Sequence, residues 1–224
     1  LPIHAWLSHG VTARRSAAKS TPQRVEGILP PEQRRLGFAL MVTAFSLLSL
    51  SSSAVLVHMV PLLSGLGLGT SAALIGTLFG PSQVASRLIN MVFGKNLPAL
   101  QLAIVAAILI PGGVLILQFT APSILGSMIF AVVFGMGNGL LSIVAGTLPL
   151  YLFGSDGYGK LQGKTMASKL VLSALAPFVM AFAMANIGIF LSLTVAAMLG
   201  ALAIVTFGVI VTMQRAYRPS PISG

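Results

Sequence analysis

Few residues of this sequence could do chemistry, and those few stand out against an apolar background. Arg87 sits in the run Gly80-Pro-Ser-Gln-Val-Ala-Ser-Arg87-Leu-Ile-Asn90. Gln83, Arg87 and Asn90 recur at i, i+4 and i+7, which is one face of a helix. A guanidinium flanked by amides suits an anionic solute, or an acid on another segment, if the run crosses a membrane. The competing reading is an arginine at the interface whose head snorkels to lipid phosphate. His58 follows a long apolar stretch, with Ser51 seven residues earlier on the same face. An imidazole titrates near neutral pH, so His58 could relay protons or gate; otherwise it caps a helix end. Thr43, Ser46, Ser49 and Ser53 form a second polar stripe, whose hydroxyls are expected to bond carbonyls of their own helix. Further on, Gly135 and Gly139 bracket Asn138, with Ser142 one turn later. Small residues at i and i+4 let two helices approach closely, which leaves Asn138 and Ser142 as candidates for a polar cavity. Pro61, Gly146 and Pro149 are candidates for packing or gating, because proline removes a backbone donor and bends a helix. Lys164 and Lys169 open a later apolar block and are expected to anchor it at the headgroups.

No catalytic group and no cofactor emerges from this inventory. The chain has no cysteine, three histidines and three acids. That leaves no thiolate site and no metal cluster. Gly65-Leu-Gly-Leu-Gly69 is not followed by a phosphate-binding fingerprint. The expectation is therefore that the protein is not an enzyme.

The elements that must carry these residues follow from composition. Of 224 residues, 56% are hydrophobic and only 7% are charged, and the mean hydropathy is +0.97. Soluble domains carry about 25% charged residues, so a soluble globule and a disordered chain are both excluded, and the solvent must be lipid. Six apolar blocks fall near 36–65, 71–94, 98–118, 122–153, 164–186 and 188–213. Each supplies roughly 20 residues, the length that crosses the hydrocarbon core as a helix. The runs are continuous rather than alternating, which argues against a membrane barrel. The fold class expected is an all-α integral membrane protein with six transmembrane helices. The lipid bilayer is its first partner.

Charge orients these helices. The connections Gly65–Thr70, Phe119–Pro122 and Asn186–Gly188 contain no charged residue. All thirteen Lys and Arg lie on the other side: in residues 1–35, around Arg87 and Lys95, around Lys160, Lys164 and Lys169, and in the tail at Arg215 and Arg218. Excess Lys/Arg marks the cytoplasmic face, so both termini are expected inside. Residues 1–35 read as a basic, Pro-punctuated linker with a helix start at Pro30-Pro31-Glu32, residues 36–215 as the membrane domain, and 216–224 as a cytoplasmic tail. The net charge of +10 would also suit nucleic acid, but basic residues at the ends of apolar blocks are explained by topology, and no nucleic-acid partner is expected. The first 35 residues hold no apolar stretch resembling a signal peptide. With Leu at position 1, the chain is expected to be a fragment or to have been read from an internal start.

A faint internal repeat pairs Val60-Pro61-Leu62 and Gly69 with Leu148-Pro149-Leu150 and Gly157, at a constant spacing of 88 positions. It superposes span one on span four. Three spans per unit is odd, so the second unit would be inverted, as in 3+3 transporter folds. Together with His58-Met-Val-Pro-Leu-Leu, Gly80-Pro-Ser-Gln-Val-Ala-Ser-Arg87 and Gly146-Thr-Leu-Pro-Leu-Tyr-Leu-Phe-Gly154, the chain resembles the C-terminal half of bacterial major facilitator superfamily transporters over about residues 36–215. Two departures stand beside this likeness: no acid accompanies Arg87 in the loop after span two, and Ala145 stands where a basic residue often precedes the Gly-Thr-Leu-Pro run. The resemblance implies secondary transport of a small solute by alternating access in the bacterial inner membrane, with a proton as a candidate coupling ion. It implies a matching N-terminal six-helix half, and it places the first and fourth helices on the cavity. The alternatives are a non-transporting membrane subunit, a truncated inactive fragment and, ranked last for want of a polar pore ring, a self-associating channel.

Overall fold

The computed structural model describes residues 25–94 and 96–216, and its long elements are helices. After a 3-10 turn at Pro31–Gln33 come α1 (Arg34–Val57), α2 (Met59–Leu63), a π-helical turn (Ser64–Leu68), α3 (Ser71–Thr77), α4 (Phe79–Phe93), α5 (Ala99–Thr120), α6 (Ile124–Phe153) and α7 (Tyr158–Ala216). Among the described residues, four helices are long and apolar enough to cross a membrane: Pro31–Val57, Ala99–Thr120, Ile124–Phe153 and Tyr158–Ala216. The protein is thus a helical protein whose elements suit a bilayer. Lys95, residues 1–24 of the expected linker and residues 217–224 of the expected tail lie outside the described residues.

Proline explains where the first two apolar blocks break. A proline ring displaces the carbonyl four residues back and leaves it without a donor. For Pro61 that residue is Val57, the last of α1; for Pro81 it is Thr77, the last of α3. The block expected at 71–94 is therefore two stacked helices, α3 and α4, rather than one. Pro149 is tolerated inside α6 for a visible reason. The carbonyl it cannot serve belongs to Ala145, which accepts a hydrogen bond of 3.0 Å from Gln162 Nε2.

Contacts fix the direction of each segment. Ser46 and Ser53 of α1 bond Ser168 and Ser173, so α1 and the first arm of α7 run parallel. The Phe45–Phe207 ring pair and the bond from Ser51 to Ala196 O make the second arm antiparallel to α1. The chain turns between these arms at Gly188, whose φ of 78° and ψ of 169° are not helical. Gly113 meets Phe134 and Gly137 meets Ile110, which sets α5 antiparallel to α6, while Gly135 against Phe79 and Gly139 against Ser86 set α4 parallel to α6.

The two poles of this bundle differ. Tyr151 O and Leu152 O accept from the backbone N–H groups of Ile28 and Leu29, and Gln214 donates to the Tyr151 hydroxyl. That pole therefore gathers the start of α1, the end of α6 and the end of α7, with Arg34, Arg35 and Arg215. At the opposite pole Gly67 lies against Pro122 and Gly65 against Ile189, where the three chargeless connections meet.

Residues 25–30, expected as free linker, are instead bound to the end of α6. Ser155 N donates to Val25 O at 2.9 Å, Glu26 bridges Gly154, and Leu29 is only 1% exposed. The reason is a single apolar side chain: Leu29 fills a site beside Gly37 of α1. Leu29→Ala should lower the unfolding free energy by about 2–5 kcal/mol, measured by thermal unfolding in detergent. A change under half that lower bound would mean that this segment is not a fixed part of the fold.

Candidate functional site

Polar side chains concentrate where α1, α6 and the first arm of α7 meet. Asn138 is the midpoint of α6, and its Oδ1 accepts a short hydrogen bond from Ser52 Oγ of α1. Its Nδ2 donates to Phe134 O at 2.9 Å, within its own helix. The α1 hydroxyls do not follow the expectation that they bond their own helix. Ser46 reaches Ser168 at 2.8 Å, Ser51 reaches Ala196 O at 2.8 Å, and Ser53 reaches Ser173 at 2.5 Å. In a medium without competing water each such bond joins two helices, at about 0.6 kcal/mol apiece. Ser49 differs from all of them: it is 3% exposed and its Oγ has no hydrogen-bond partner among the described residues. Thr43 is exposed, on a groove of about 510 Å³ that it lines with Ser46, Ser168 and Leu172.

The remaining candidates are spread out rather than brought to this point. Ser142 is exposed and bonds Gly139 O at 2.7 Å. His58 marks the break between α1 and α2, with Nδ1 3.2 Å from Ala54 O, a contact with its own helix. Pro61 is exposed in α2, whereas Pro149 is buried. Gly135 and Gly139 lie against the backbone of α4 at Phe79 and Gln83, and Gly146 O accepts from the Tyr158 hydroxyl at 2.8 Å.

The Gln83/Arg87/Asn90 face is divided by its surroundings. Arg87 is exposed between exposed Val84, Leu88 and Met91. It makes no hydrogen bond or ion pair with a described residue, so any partner must come from outside them. Gln83 is half-buried beside Gly139. Asn90 turns into a crevice of about 250 Å³ among α4, α5 and α6, lined by Ser86, Leu102, Leu109 and Leu140, where its Oδ1 lacks a hydrogen-bond partner. The three residues share one helical stripe but not one site.

The polar junction of α1, α6 and α7 is the arrangement against which relatives matter. No family model matches the chain, and no curated protein matches it. The likeness to the major facilitator superfamily therefore rests on the quoted sequence runs alone.

One residue has no counterpart in the sequence analysis, and one lies further into its helix than expected. Gln162 serves the carbonyl left open by Pro149; a Gln thirteen residues after a proline in the last turns of a helix carries no pattern that would announce this. Lys169 is expected near the start of a block that opens at residue 164. The helix begins at Tyr158, so Lys169 is eleven residues in, about 16 Å along the axis. It is half-buried. The missed signal was the Tyr-Gly-Lys-Leu-Gln run, which continues the helix backwards from the apolar block.

Proposed function

We propose that the protein is one six-span half of a solute transporter, working by alternating access in a bacterial inner membrane, and that it belongs with the C-terminal halves of the major facilitator superfamily. One observation carries this reading: Asn138, at the midpoint of the largely apolar α6, meets Ser52 from the polar stripe in the C-terminal half of α1. Polar groups at that depth are costly and mark solute pathways. Support for six spans comes from the alternating directions of α1, α3 with α4, α5, α6 and the two arms of α7. Support for a 3+3 repeat comes from Gly69 and Gly157, which stand at equivalent places in the two halves, each with positive φ just ahead of a new helix. Pro61 and Pro149, the other repeat partners, sit toward opposite poles, as inversion requires. The charged pole is assigned to the cytoplasm by its basic residues.

Impermeant-thiol labelling of single cysteines tests the topology, since the native chain has none. Exposed Thr70, Phe119 and Asn186 replaced by cysteine should react in intact cells, and Gly159→Cys should react only after lysis. Reaction at Gly159 with silence at Phe119 would reverse the orientation. Transport itself is expected when the chain is co-expressed with a matching N-terminal half. Uptake by the purified chain alone would favour a self-assembling channel, and none under either condition a non-transporting subunit.

A further inference from the structure

Among the described residues Lys169 has no counter-charge within reach. The sequence holds three acids, Glu26, Glu32 and Asp156. Glu32 lies in the 3-10 turn just before α1, Glu26 is bridged to Gly154, and Asp156 lies in the loop before α7, so all three belong to the charged pole. Lys169 does not. The Ser46–Ser168 and Ser53–Ser173 bonds set the register of α1 against α7, and interpolation between them puts Lys169 level with Leu47, within two residues of Ser49. Leu47 is thirteen residues beyond Arg34, about 20 Å up the axis, against a hydrocarbon core of about 30 Å. That is too deep for the lysine stem to reach either interface.

Both residues also lie in the strips that face each other. Thr165 and Ala176 are buried, and Lys169 falls in their row at i+4 from the first and i−7 from the second. Ser49 is three residues after Ser46 and four before Ser53, the two serines that hold α7. A half-buried cation thus stands within two residues of the level of a buried hydroxyl that has no partner among the described residues, and other serine hydroxyls lie above and below. Intramembrane cations pair with an anion or line a polar cavity, and a buried hydroxyl without a partner is unfavourable unless something occupies it.

We propose that Lys169 and Ser49 form the anion-binding point of the solute pathway, which makes the solute a small organic anion, with a carboxylate or comparable oxyanion accepting from the ammonium and from the serine hydroxyl. This rests on the transporter reading above and gives it a substrate class.

Equilibrium binding of labelled succinate and of inorganic phosphate to the 224-residue chain tests it, with the protein in nanodiscs of phosphatidylcholine. At least one probe should bind saturably. Lys169→Gln should weaken that binding by about 30-fold or more, as expected when one member of a buried charge pair is removed. Lys169→Arg should retain part of it, and Ser49→Ala should weaken it several-fold. Ser49→Ala removes one oxygen, so it decides the question if Lys169→Gln does not fold. Binding of neither probe, or equal binding by wild type and Lys169→Gln, overturns the site. Loss of binding when phosphatidylglycerol is added would give the point to a lipid phosphate and overturn the solute assignment. Lys169-dependent binding without transport in the co-expressed pair would sink the transport reading and leave the site. Transport of a neutral or cationic solute without anion binding would do the reverse.

Discussion

Gly139→Leu is expected to prevent α4 and α6 from packing, with most of the protein lost from the monodisperse fraction after detergent extraction. A Cβ at Gly139 would run into Gln83 O and Ser86 Oγ, and it would lie 3.1 Å from the Gln83 carbonyl carbon. Two of these three contacts are backbone of α4, which cannot swing aside as a side chain can. Gly135 repeats the pattern one turn earlier, with Phe79 O 2.7 Å from its added Cβ. The two glycines therefore form a continuous track on which α4 lies. Overpacking usually costs about 1–3 kcal/mol, and leucine against two backbone atoms belongs at or above the upper end. Gly139→Ala should show a smaller shift of the same sign in the midpoint of thermal unfolding. Gly146→Ala is the control on the same helix, because a Cβ there meets nothing within 4 Å. Equal behaviour of Gly139→Leu and Gly146→Leu would remove the close α4–α6 packing.

What the sequence made legible follows from the physics of each signal. Hydropathy marked the long helices among the described residues as apolar blocks, because lipid imposes continuous apolar runs on a spanning segment, but it drew one block where α3 and α4 are two helices. Chargeless and basic connections were separable by eye, and the same two groups lie at opposite poles of the bundle. The breaks at Val57 and Thr77 were half legible: Pro61 and Pro81 were visible as potential kinks, but whether a helix bends or stops depends on its neighbours. Side-chain destinations were not legible. Ser46 and Ser53 look alike whether they bond their own helix or the next one, and only the register of α1 against α7 decides. Arg87 drew attention as an isolated charge in an apolar run, yet it is exposed, while the less conspicuous Lys169 is half-buried. Apolar windows begin where hydropathy rises, whereas α7 begins six residues earlier in polar sequence, so Lys169 lies eleven residues into its helix rather than five.

Gly188 offers the second large effect, and the sign of that effect discriminates between two architectures. If α7 ran straight, its 59 residues would extend about 88 Å, nearly three times the hydrocarbon thickness. Replacing a glycine in the middle of such a helix with alanine would stabilise it by roughly 0.5–1 kcal/mol. In the turned arrangement Gly188 holds φ 78° and ψ 169°, a region open essentially to glycine alone. A Cβ there meets nothing within 4 Å, so the cost of substitution is conformational rather than steric, on the order of 1–3 kcal/mol. Gly188→Ala is therefore expected to destabilise, and Gly188→Val to do so more strongly because its branched side chain restricts the backbone further. The damage should be local at first. The second arm is held by Phe207 against Phe45, by Ala196 O against Ser51, and by Thr194 against Gln118 at 2.7 Å, so hydrogen exchange should rise across 189–210 before it rises in α6. Gly112→Ala, in the helical interior of α5 with open space around it, serves as the reference for an ordinary helix glycine. Stabilisation by Gly188→Ala matching that of Gly112→Ala would mean a continuous α7, and would remove the support for the proposed six spans.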